Sequence, residues 1–230
     1  LKEAAEPLQW LTHKLQKQIS CHHDKIQCLA MQNGRWCAQL EKLPSIDANN
    51  VILAQGAEPR SLSLNDINEI SIEHALNKKL LQNQVNQDDT VAVFGSSHSA
   101  IIIVRDLLEL GVKNVINFYR EPLRYAKNMG DWTLYNNTGL KGNTAKWARE
   151  NLHGTLPEGL IRVLSDNEHM STHLPRCNKA IYAVGFSRRQ LKIEGLPSDY
   201  SYNLHNGIIA PGLFGLGIAF PEQTIDPYHN

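Results

Sequence analysis

A strand-like run that ends in small residues marks the place where this chain could bind a phosphate group. The run Val91-Ala-Val-Phe-Gly-Ser-Ser-His-Ser-Ala100 approaches the Gly-x-Gly-x-x-Gly/Ala pattern of dinucleotide-binding turns. Gly95 allows the tight turn, and Ala100 lets the following helix pack closely on the strand. At Ser97 the second glycine of the pattern is missing, so a side chain stands where a phosphate would approach the backbone.

The start of the helix offers donors that compensate for the missing glycine. The first amides of a helix lack acceptors within it and carry a partial positive charge. The hydroxyl groups of Ser96, Ser97 and Ser99 add further donors. We therefore predict that residues 95–100 bind the diphosphate of a dinucleotide; the alternative is a structural helix that is merely capped. Two roles are open for His98. Its side chain contacts the cofactor, or it has a structural role in which it caps the helix or faces solvent.

The residues after the next predicted strand indicate which dinucleotide would bind. NAD-binding folds usually place an acidic residue about 20 residues after the first glycine, where it binds the ribose hydroxyls. Arg120 stands in the comparable region here, and its guanidinium suits a 2′-phosphate. Arg124 and Lys127 would share that anion, whereas Glu121 would repel it. The pattern favours NADP over NAD.

The periodicity of apolar residues places this turn in a β-α-β unit. Residues 90–94 and 115–119 are short apolar runs typical of buried strands. Residues 97–110 repeat apolar side chains at helical spacing until Gly111 ends the helix. Parallel strands joined by a helix imply a right-handed crossover in a doubly wound sheet. The sequence therefore predicts an α/β protein with a Rossmann-like domain.

A sequence pattern that occurs twice indicates how the chain is divided into domains. Residues 51–60 and 180–189 each begin with a short apolar run followed by Ala-x-Gly, with Gly56 and Gly185 as the turning residues. The turn described above lies between the two copies. This arrangement suggests a dinucleotide-binding domain that is inserted into a second domain.

Charge and cysteine usage argue against several classes of function. The chain has 23 basic and 23 acidic residues, so no net charge attracts nucleic acid or an anionic membrane. No apolar stretch approaches the roughly 20 residues that span a bilayer, and no signal peptide is recognisable. The cysteines form no Cys-x-x-Cys pair, which favours reduced thiols in a cytoplasmic protein. His169, His173 and Cys177 have helical ligand spacing, but no metal site is predicted, because the intervening residues disfavour a continuous helix: Ser171, Thr172 and Pro175.

The order of the motifs resembles that of the flavoproteins with two dinucleotide-binding domains. This group contains the pyridine nucleotide-disulfide oxidoreductases and the flavin-dependent monooxygenases. The resemblance implies an oxidoreductase in which NAD(P)H, bound to the inserted domain, reduces FAD. It also implies a three-layer architecture, either β/β/α or α/β/α. It rests on residues 51–60, 91–100 and 180–186 and on Gly212-Leu-Phe-Gly-Leu-Gly217.

The resemblance assigns positions to several glycines. Residues 95–100 would hold the NAD(P) diphosphate. Gly56 and Gly185 would lie at the two crossings between the domains. Gly215 and Gly217 would lie near the flavin.

The resemblance also implies a division into four segments. Residues 1–60, with a β-hairpin at Asn33-Gly34, would form part of an FAD-type domain. Residues 61–88 would connect the domains, and residues 89–203 would form the NAD(P)-binding Rossmann-like domain. Residues 204–230 would return to the FAD-type domain.

Three departures from the family pattern shape the functional expectation. The N-terminal FAD fingerprint is absent, since the first glycine is Gly34. The aspartate that usually ends the last family motif is replaced by Ile218. No paired redox cysteines occur, which favours oxygen or another small acceptor over a dithiol. Because the chain starts at Leu1 rather than Met, we expect it to be a fragment of a longer protein. We expect this fragment to bind NADP(H) weakly, to hold FAD poorly and to have little activity alone.

The sequence assigns no catalytic residue and no particular substrate. The resemblance implies a small-molecule substrate and leaves a homodimer open. Two alternative functions remain. One is a flavin-independent NAD(P) dehydrogenase, which predicts a catalytic Lys, Tyr or His, and no candidate stands out. The other is an interaction protein whose cofactor site has degenerated.

Overall fold

A computed structural model describes residues 2–62, 64, 67–134 and 139–223 of the chain. Their contacts define two units, one made of residues 2–56 and 189–223 and the other of residues 57–188. The helices are α1 (Lys2–Leu15), α2 (Ile72–Ala75), α3 (Lys78–Gln82), α4 (His98–Glu109), α5 (Gly142–Asn151) and α6 (Asn167–His173), which runs into a 3₁₀ turn at Leu174–Arg176. The strands are β1 (Ile26–Gln32), β2 (Arg35–Leu40), β3 (Ile46–Ala48), β4 (Val51–Leu53), β5 (Ala57–Pro59), β6 (Asn68–Glu69), β7 (Thr90–Phe94), β8 (Asn114–Tyr119), β9 (Leu160–Leu164), β10 (Lys179–Tyr182), β11 (Phe186–Arg188), β12 (Lys192–Ile193), β13 (Ile208–Ala210) and β14 (Leu213–Gly215).

Five parallel strands form the main sheet of the unit at residues 57–188, in the order β6-β10-β7-β8-β9. From β7 the chain passes through α4 to β8 and through α5 to β9. It then returns through α6 to β10, on the other side of β7. The strand order therefore reverses between β7 and β10. In open parallel sheets, ligands bind beyond the carboxyl ends of the strands at such a reversal.

Apolar side chains cover both faces of this sheet. Val91 and Val93 belong to the buried cluster that includes the apolar side chains of α4. On the opposite face, the ring of Phe94 stacks on Phe118 and on Tyr182, with ring centroids 5.0 and 5.1 Å apart. Strands buried on both faces carry continuous apolar runs, which is the pattern that the sequence shows here. The predicted α/β class and the β7-α4-β8 unit are confirmed.

The unit at residues 2–56 and 189–223 is built around the predicted hairpin. β1 and β2 pair antiparallel, and the turn between them places Asn33 and Gly34 at φ 50° and 75°. Together with β12 and β3 they form a sheet in the order β12-β1-β2-β3, and β13, β14 and β4 form a second, smaller one. The buried Trp36 donates its Nε1–H to the carbonyl oxygen of Pro211 at 3.0 Å.

The borders of the two units differ from the expected segment borders. Residues 61–88, expected to connect domains, contribute β6, α2 and α3 to the unit at residues 57–188, because β6 pairs with β10 and Leu81 is fully buried. Residues 189–203, expected in the Rossmann-like domain, belong to the other unit, because β12 pairs parallel with β1. Both differences arise from pairing between strands that are distant in sequence. The assignment of a cofactor to each unit remains a proposal.

Helix α1 carries its apolar side chains on an exposed surface. Leu8, Leu11 and Leu15 recur at helical spacing, and all three are exposed. Within the described ranges, no helix combines the length and the apolar character needed to cross a membrane.

Candidate functional site

A cavity of about 1360 Å³ opens at the carboxyl ends of β7, β8 and β10. Every residue that lines it belongs to the unit at residues 57–188. Its volume exceeds the range of about 300–1,000 Å³ that is usual for drug-sized ligands, so an extended ligand would fit. The cavity lies at the reversal of strand order, where an open parallel sheet is expected to bind its ligand.

Gly95, in the cavity wall, directly follows β7 and lies against the ends of β8 and β10. Its N–H donates to the carbonyl oxygen of Phe118 in β8 at 2.8 Å. Its φ is +120°, and a Cβ built on it would lie 2.4 Å from the carbonyl oxygen of Ala183, just after β10. L-residues rarely adopt such a φ, and the backbone of Ala183 has no room for a side chain at Gly95. The first glycine of the predicted turn is therefore required by the fold itself.

The N-terminus of α4 faces the cavity without an internal cap. Ser97 is the N-cap residue, and its side chain makes no capping hydrogen bond. The first turn contains no acidic residue, so the partial positive charge at the helix start is not neutralised from within the helix. The side chain of Ser97 is exposed, and Ser96, Ser97 and Ser99 all line the cavity. This arrangement suits an anion.

Ala100 supports the close packing that the sequence pattern predicts. It is fully buried in the core between the sheet and α4. The Cβ built on Gly95 would lie 3.4 Å from the Cβ of Ala100, so the turn and the helix approach each other closely. A larger side chain at Ala100 would push the start of α4 away from β7.

His98 lies between the glycine turn and the segment at residues 139–141. Its Nδ1 accepts the N–H of Lys141 at 3.4 Å, so the neutral ring carries its proton on Nε2. Burial lowers the pKa of His98, and the positive charges of Lys141 and Arg105 lower it further. The structure therefore places a neutral imidazole in the cavity wall at pH 7.

The cavity wall carries more positive than negative side chains. Arg120 and Arg124 follow β8, as predicted, and both line the cavity. Arg124 Nη2 lies 3.4 Å from Glu121 Oε2, and both side chains are exposed, so this ion pair contributes little to stability. Lys127 lies outside the residues that line the cavity. The charged residues of the wall are Glu58, Arg60, Arg120, Glu121, Arg124 and Lys141.

The four glycines outside the turn occupy two different places. Gly185 lines the cavity, and its carbonyl oxygen accepts the N–H of Arg60 at 3.0 Å. Gly56 is the last residue of the other unit before the border at residue 57. Gly215 and Gly217 also belong to that unit and do not line this cavity. A Cβ on Gly215 would lie 2.2 Å from the ring of Phe220, so that glycine accommodates a packed aromatic side chain.

Sequence reasoning missed Asn117. This residue lies in the middle of β8 and is fully buried, and its Nδ2 donates to the carbonyl oxygen of Gly95 at 2.8 Å. Its Oδ1 accepts from Nε of Arg162 at 2.9 Å. The available signal was a single asparagine within the otherwise apolar run 115–118.

Two of the three residues considered for metal binding, His169 and Cys177, contact groups close to them in sequence. His169 Nδ1 contacts the Asp166 carboxylate at 2.7 Å, and Cys177 Sγ lies 3.5 Å from the carbonyl oxygen of His173. Burial raises the pKa of the Cys177 thiol to about 11, which keeps it protonated at neutral pH.

Comparison with known proteins identifies monooxygenases as relatives and as structural neighbours. No protein-family model matches the chain. The chain is 32% identical over 233 residues to monooxygenase AgnR1 of Paecilomyces divaricatus, an alignment that covers 86% of this chain and 59% of that protein. The chain thus spans less than two thirds of the length of this relative.

Two solved structures share the fold at low sequence identity. A flavin-containing monooxygenase from Stenotrophomonas maltophilia has a TM-score of 0.60 and 14% identity, covering 93% of this chain and 68% of that one. The ornithine N-hydroxylase KtzI of Kutzneria sp. 744, solved with reduced FAD, NADP⁺ and L-ornithine, has the same TM-score and identity. The alignment covers 93% of this chain and 69% of that one. The resemblance to flavin-dependent monooxygenases stated from the sequence is confirmed.

We expect Gly95→Ala to destabilise the fold strongly. The new Cβ would meet the backbone of Ala183 and would also strain a positive φ, at a cost of about 3 kcal/mol. Thermal unfolding should show a melting temperature lower by about 10 °C. Gly154→Ala is the matched control, because Gly154 has φ +103° with open space around it. That variant should lose only about 1 kcal/mol. Equal losses in the two variants would contradict the close approach at Gly95.

The titration of His98 should be displaced to low pH. Because burial lowers its pKa, the midpoint in an NMR titration should lie below the ordinary value of about 6.5. The unfolded chain then binds the proton more readily than the folded chain, so stability should fall as the pH drops from about 7.5 to 5.5. His98→Gln, which cannot titrate, should lose less stability over the same interval. A midpoint at or above the ordinary value would refute this prediction.

Proposed function

We propose that this chain is the NAD(P)H-binding portion of an FAD-dependent oxidoreductase of the monooxygenase type. The observation that carries the proposal is the cavity at the reversal of strand order, into which Gly95 and the open N-terminus of α4 project. The monooxygenase relative and the shared fold support the same class of enzyme.

The residues present fit the diphosphate of a dinucleotide. The N-terminus of α4 has neither a side-chain cap nor an acidic residue in its first turn, so its amides can donate to an anion. Ser96, Ser97 and Ser99 line the same wall and would add hydroxyl donors. The side chain of Ser97 occupies space that a glycine would leave open to a phosphate. Because this side chain is exposed, it can rotate away from the ligand. The proposed ligand therefore binds with the phosphates over residues 95–100.

The cations after β8 would select NADP over NAD. Arg120 and Arg124 line the cavity on the side of β8, next to the glycine turn on β7. A guanidinium binds a phosphate group through two parallel hydrogen bonds, which a ribose hydroxyl cannot match. In this proposal Arg120 binds the 2′-phosphate and Arg124 shares it. Lys127, which the sequence also suggested, lies outside the cavity wall and contributes at most long-range attraction.

The role of these residues in the reaction is to bind and orient. NADPH supplies a hydride when it is bound, and flavin is the acceptor that the proposal assigns to it. These residues would hold the nicotinamide dinucleotide in one position and exclude alternative orientations. Neutral His98 can hydrogen-bond to a phosphate or ribose without adding a charge.

The glycine turn before α4 has no counterpart among the described residues of the other unit. In residues 2–56 and 189–223 the helix is α1, which precedes the first glycine, Gly34, so no strand–glycine turn–helix comparable to β7-α4 occurs there. We propose that Gly56 and Gly185 mark the crossings between domains and that Gly215 and Gly217 lie near the flavin in the whole protein. No reaction step is assigned to these glycines.

The remaining parts of the proposal concern the whole protein. Its substrate would be a small molecule, with oxygen or another small acceptor as the oxidant of the flavin. A cytoplasmic location and a homodimer complete the proposal, and sedimentation of the purified protein would test the dimer.

NADPH should bind more tightly than NADH, and Arg120 should be the cause of the difference. Isothermal titration should show that Arg120→Ala weakens NADPH binding about tenfold, the loss expected for one charged hydrogen bond, while NADH binding stays within about twofold. Lys113→Ala is the matched control. It removes one positive charge at the opposite end of β8, where Lys113 pairs with Asp88 at 2.8 Å. Equal losses for both cofactors would contradict the assignment of Arg120, and no saturable signal with either cofactor would favour the interaction protein.

This 230-residue chain should be purified without bound flavin. Its absorption spectrum should lack the flavin band at about 450 nm, and added FAD should separate from the protein on a desalting column. The reason is the missing glycine turn in the unit of residues 2–56 and 189–223. A yellow protein that retains flavin after desalting would overturn this expectation. NADPH binding by a longer, flavin-free protein would instead favour a simple dehydrogenase.

A further inference from the structure

A buried asparagine and an arginine lie beneath the glycine turn, outside the cavity wall. Nδ2 of Asn117 donates to the carbonyl oxygens of Val93 and Gly95, at 3.0 and 2.8 Å. Oδ1 of Asn117 accepts from Nε of Arg162 at 2.9 Å. Asn117 and Arg162 do not line the cavity, so neither would touch a ligand bound in it.

Arg162 determines which way the amide of Asn117 faces. A guanidinium has only donors, so the atom that faces it must be Oδ1. The amide nitrogen must then face the two carbonyl oxygens, which can only accept. The guanidinium itself is held over the ring of Tyr119, with its central carbon 4.8 Å from the ring centroid. Exchange of the amide oxygen and nitrogen would set donor against donor and acceptor against acceptor at all three contacts.

The carbonyl of Gly95 in turn directs the next amide. In a planar trans peptide the C=O and the N–H point in opposite directions. Because Asn117 holds the carbonyl oxygen of Gly95 toward β8, the N–H of Ser96 points away from β8. That direction leads toward the ends of β7 and β10, where Ser96 and Ala183 line the cavity. In the described part of the chain, this N–H donates to no backbone acceptor.

We propose that Asn117 and Arg162 are positioning residues that hold the Ser96 N–H toward the cavity as a donor for an anionic group. The inference rests on the proposed function for the identity of that group, a diphosphate. A peptide fixed in this way binds an anion without first having to rotate. Because the turn is already ordered in the free protein, binding loses less conformational entropy. A free amide at Ser96 also compensates for the glycine that Ser97 replaces.

Three variants test the proposal. Arg162→Met removes the donor that orients Asn117 and keeps an unbranched side chain on Tyr119. Asn117→Asp keeps a partner for Arg162 but cannot donate to the carbonyl oxygen of Gly95. Arg149→Met is the matched control, because Arg149 also lies over a tyrosine ring, 4.3 Å from the centroid of Tyr125, without contacting Asn117.

Two measurements apply to each variant. The first is the NMR signal of the Ser96 amide in the free protein, which reports the orientation of the peptide without any ligand. The second is the dissociation constant for NADPH from isothermal titration. Arg162→Met and Asn117→Asp should shift or split the Ser96 signal and weaken NADPH binding about tenfold, the effect of one hydrogen bond to a charged group. Arg149→Met should change neither.

The outcomes separate this inference from the proposed function. If NADPH binds and both Arg162→Met and Asn117→Asp bind it as the unmodified chain does, the positioning role is wrong. An unchanged Ser96 signal in these variants overturns it as well. If the unmodified chain binds no NADPH but the variants displace the Ser96 signal, the positioning of the amide is supported and the proposed function fails. Should Arg162→Met not fold, Asn117→Asp carries the test, because its carboxylate would form an ion pair with the guanidinium of Arg162.

Discussion

The close approach of β7 and β10 at Gly95 is the constraint on which the site depends. The carbonyl oxygen of Ala183 occupies the space that a side chain at Gly95 would need. The same residue bonds to Phe118 in β8, so three strand ends meet around one residue without a Cβ. Because they meet so closely, the start of α4 lies directly over the reversal of strand order. A wider separation would leave the helix amides facing bulk water rather than a cavity wall.

A polar network within an otherwise apolar sheet maintains this geometry. Most of β7 and β8 is buried among aliphatic and aromatic side chains, and Asn117 is the fully buried polar exception between them. Burying an amide is costly unless each of its groups is paired, and here both its donor and its acceptor functions are used. At the carboxyl ends of the strands, cationic side chains and the uncapped N-terminus of α4 lie along one cavity wall. The unit thus combines a rigid base with an anion-binding surface.

The local elements could be predicted from the sequence, whereas the long-range pairings could not. The bounds of β7 match the prediction and those of α4 and β8 lie within a residue, because apolar period and a terminal glycine define them locally. The role of residues 61–88 was missed because β6 is too short to show a period and pairs only with distant β10. Asn117 was missed because a polar residue in a strand usually marks a solvent-facing position. Arg120 and Arg124 follow a strand end and line the cavity, whereas Lys127, which the same spacing suggested, lies outside the residues that line it.

The most direct test of the central claim is a crystal structure of this chain soaked with NADP⁺. The account predicts that the diphosphate lies against the first turn of α4, within hydrogen-bond distance of the Ser96 amide, with the adenosine phosphate beside Arg120. A dinucleotide bound elsewhere on the unit at residues 57–188, or a cavity closed by its own side chains while the crystal remains intact, would contradict it.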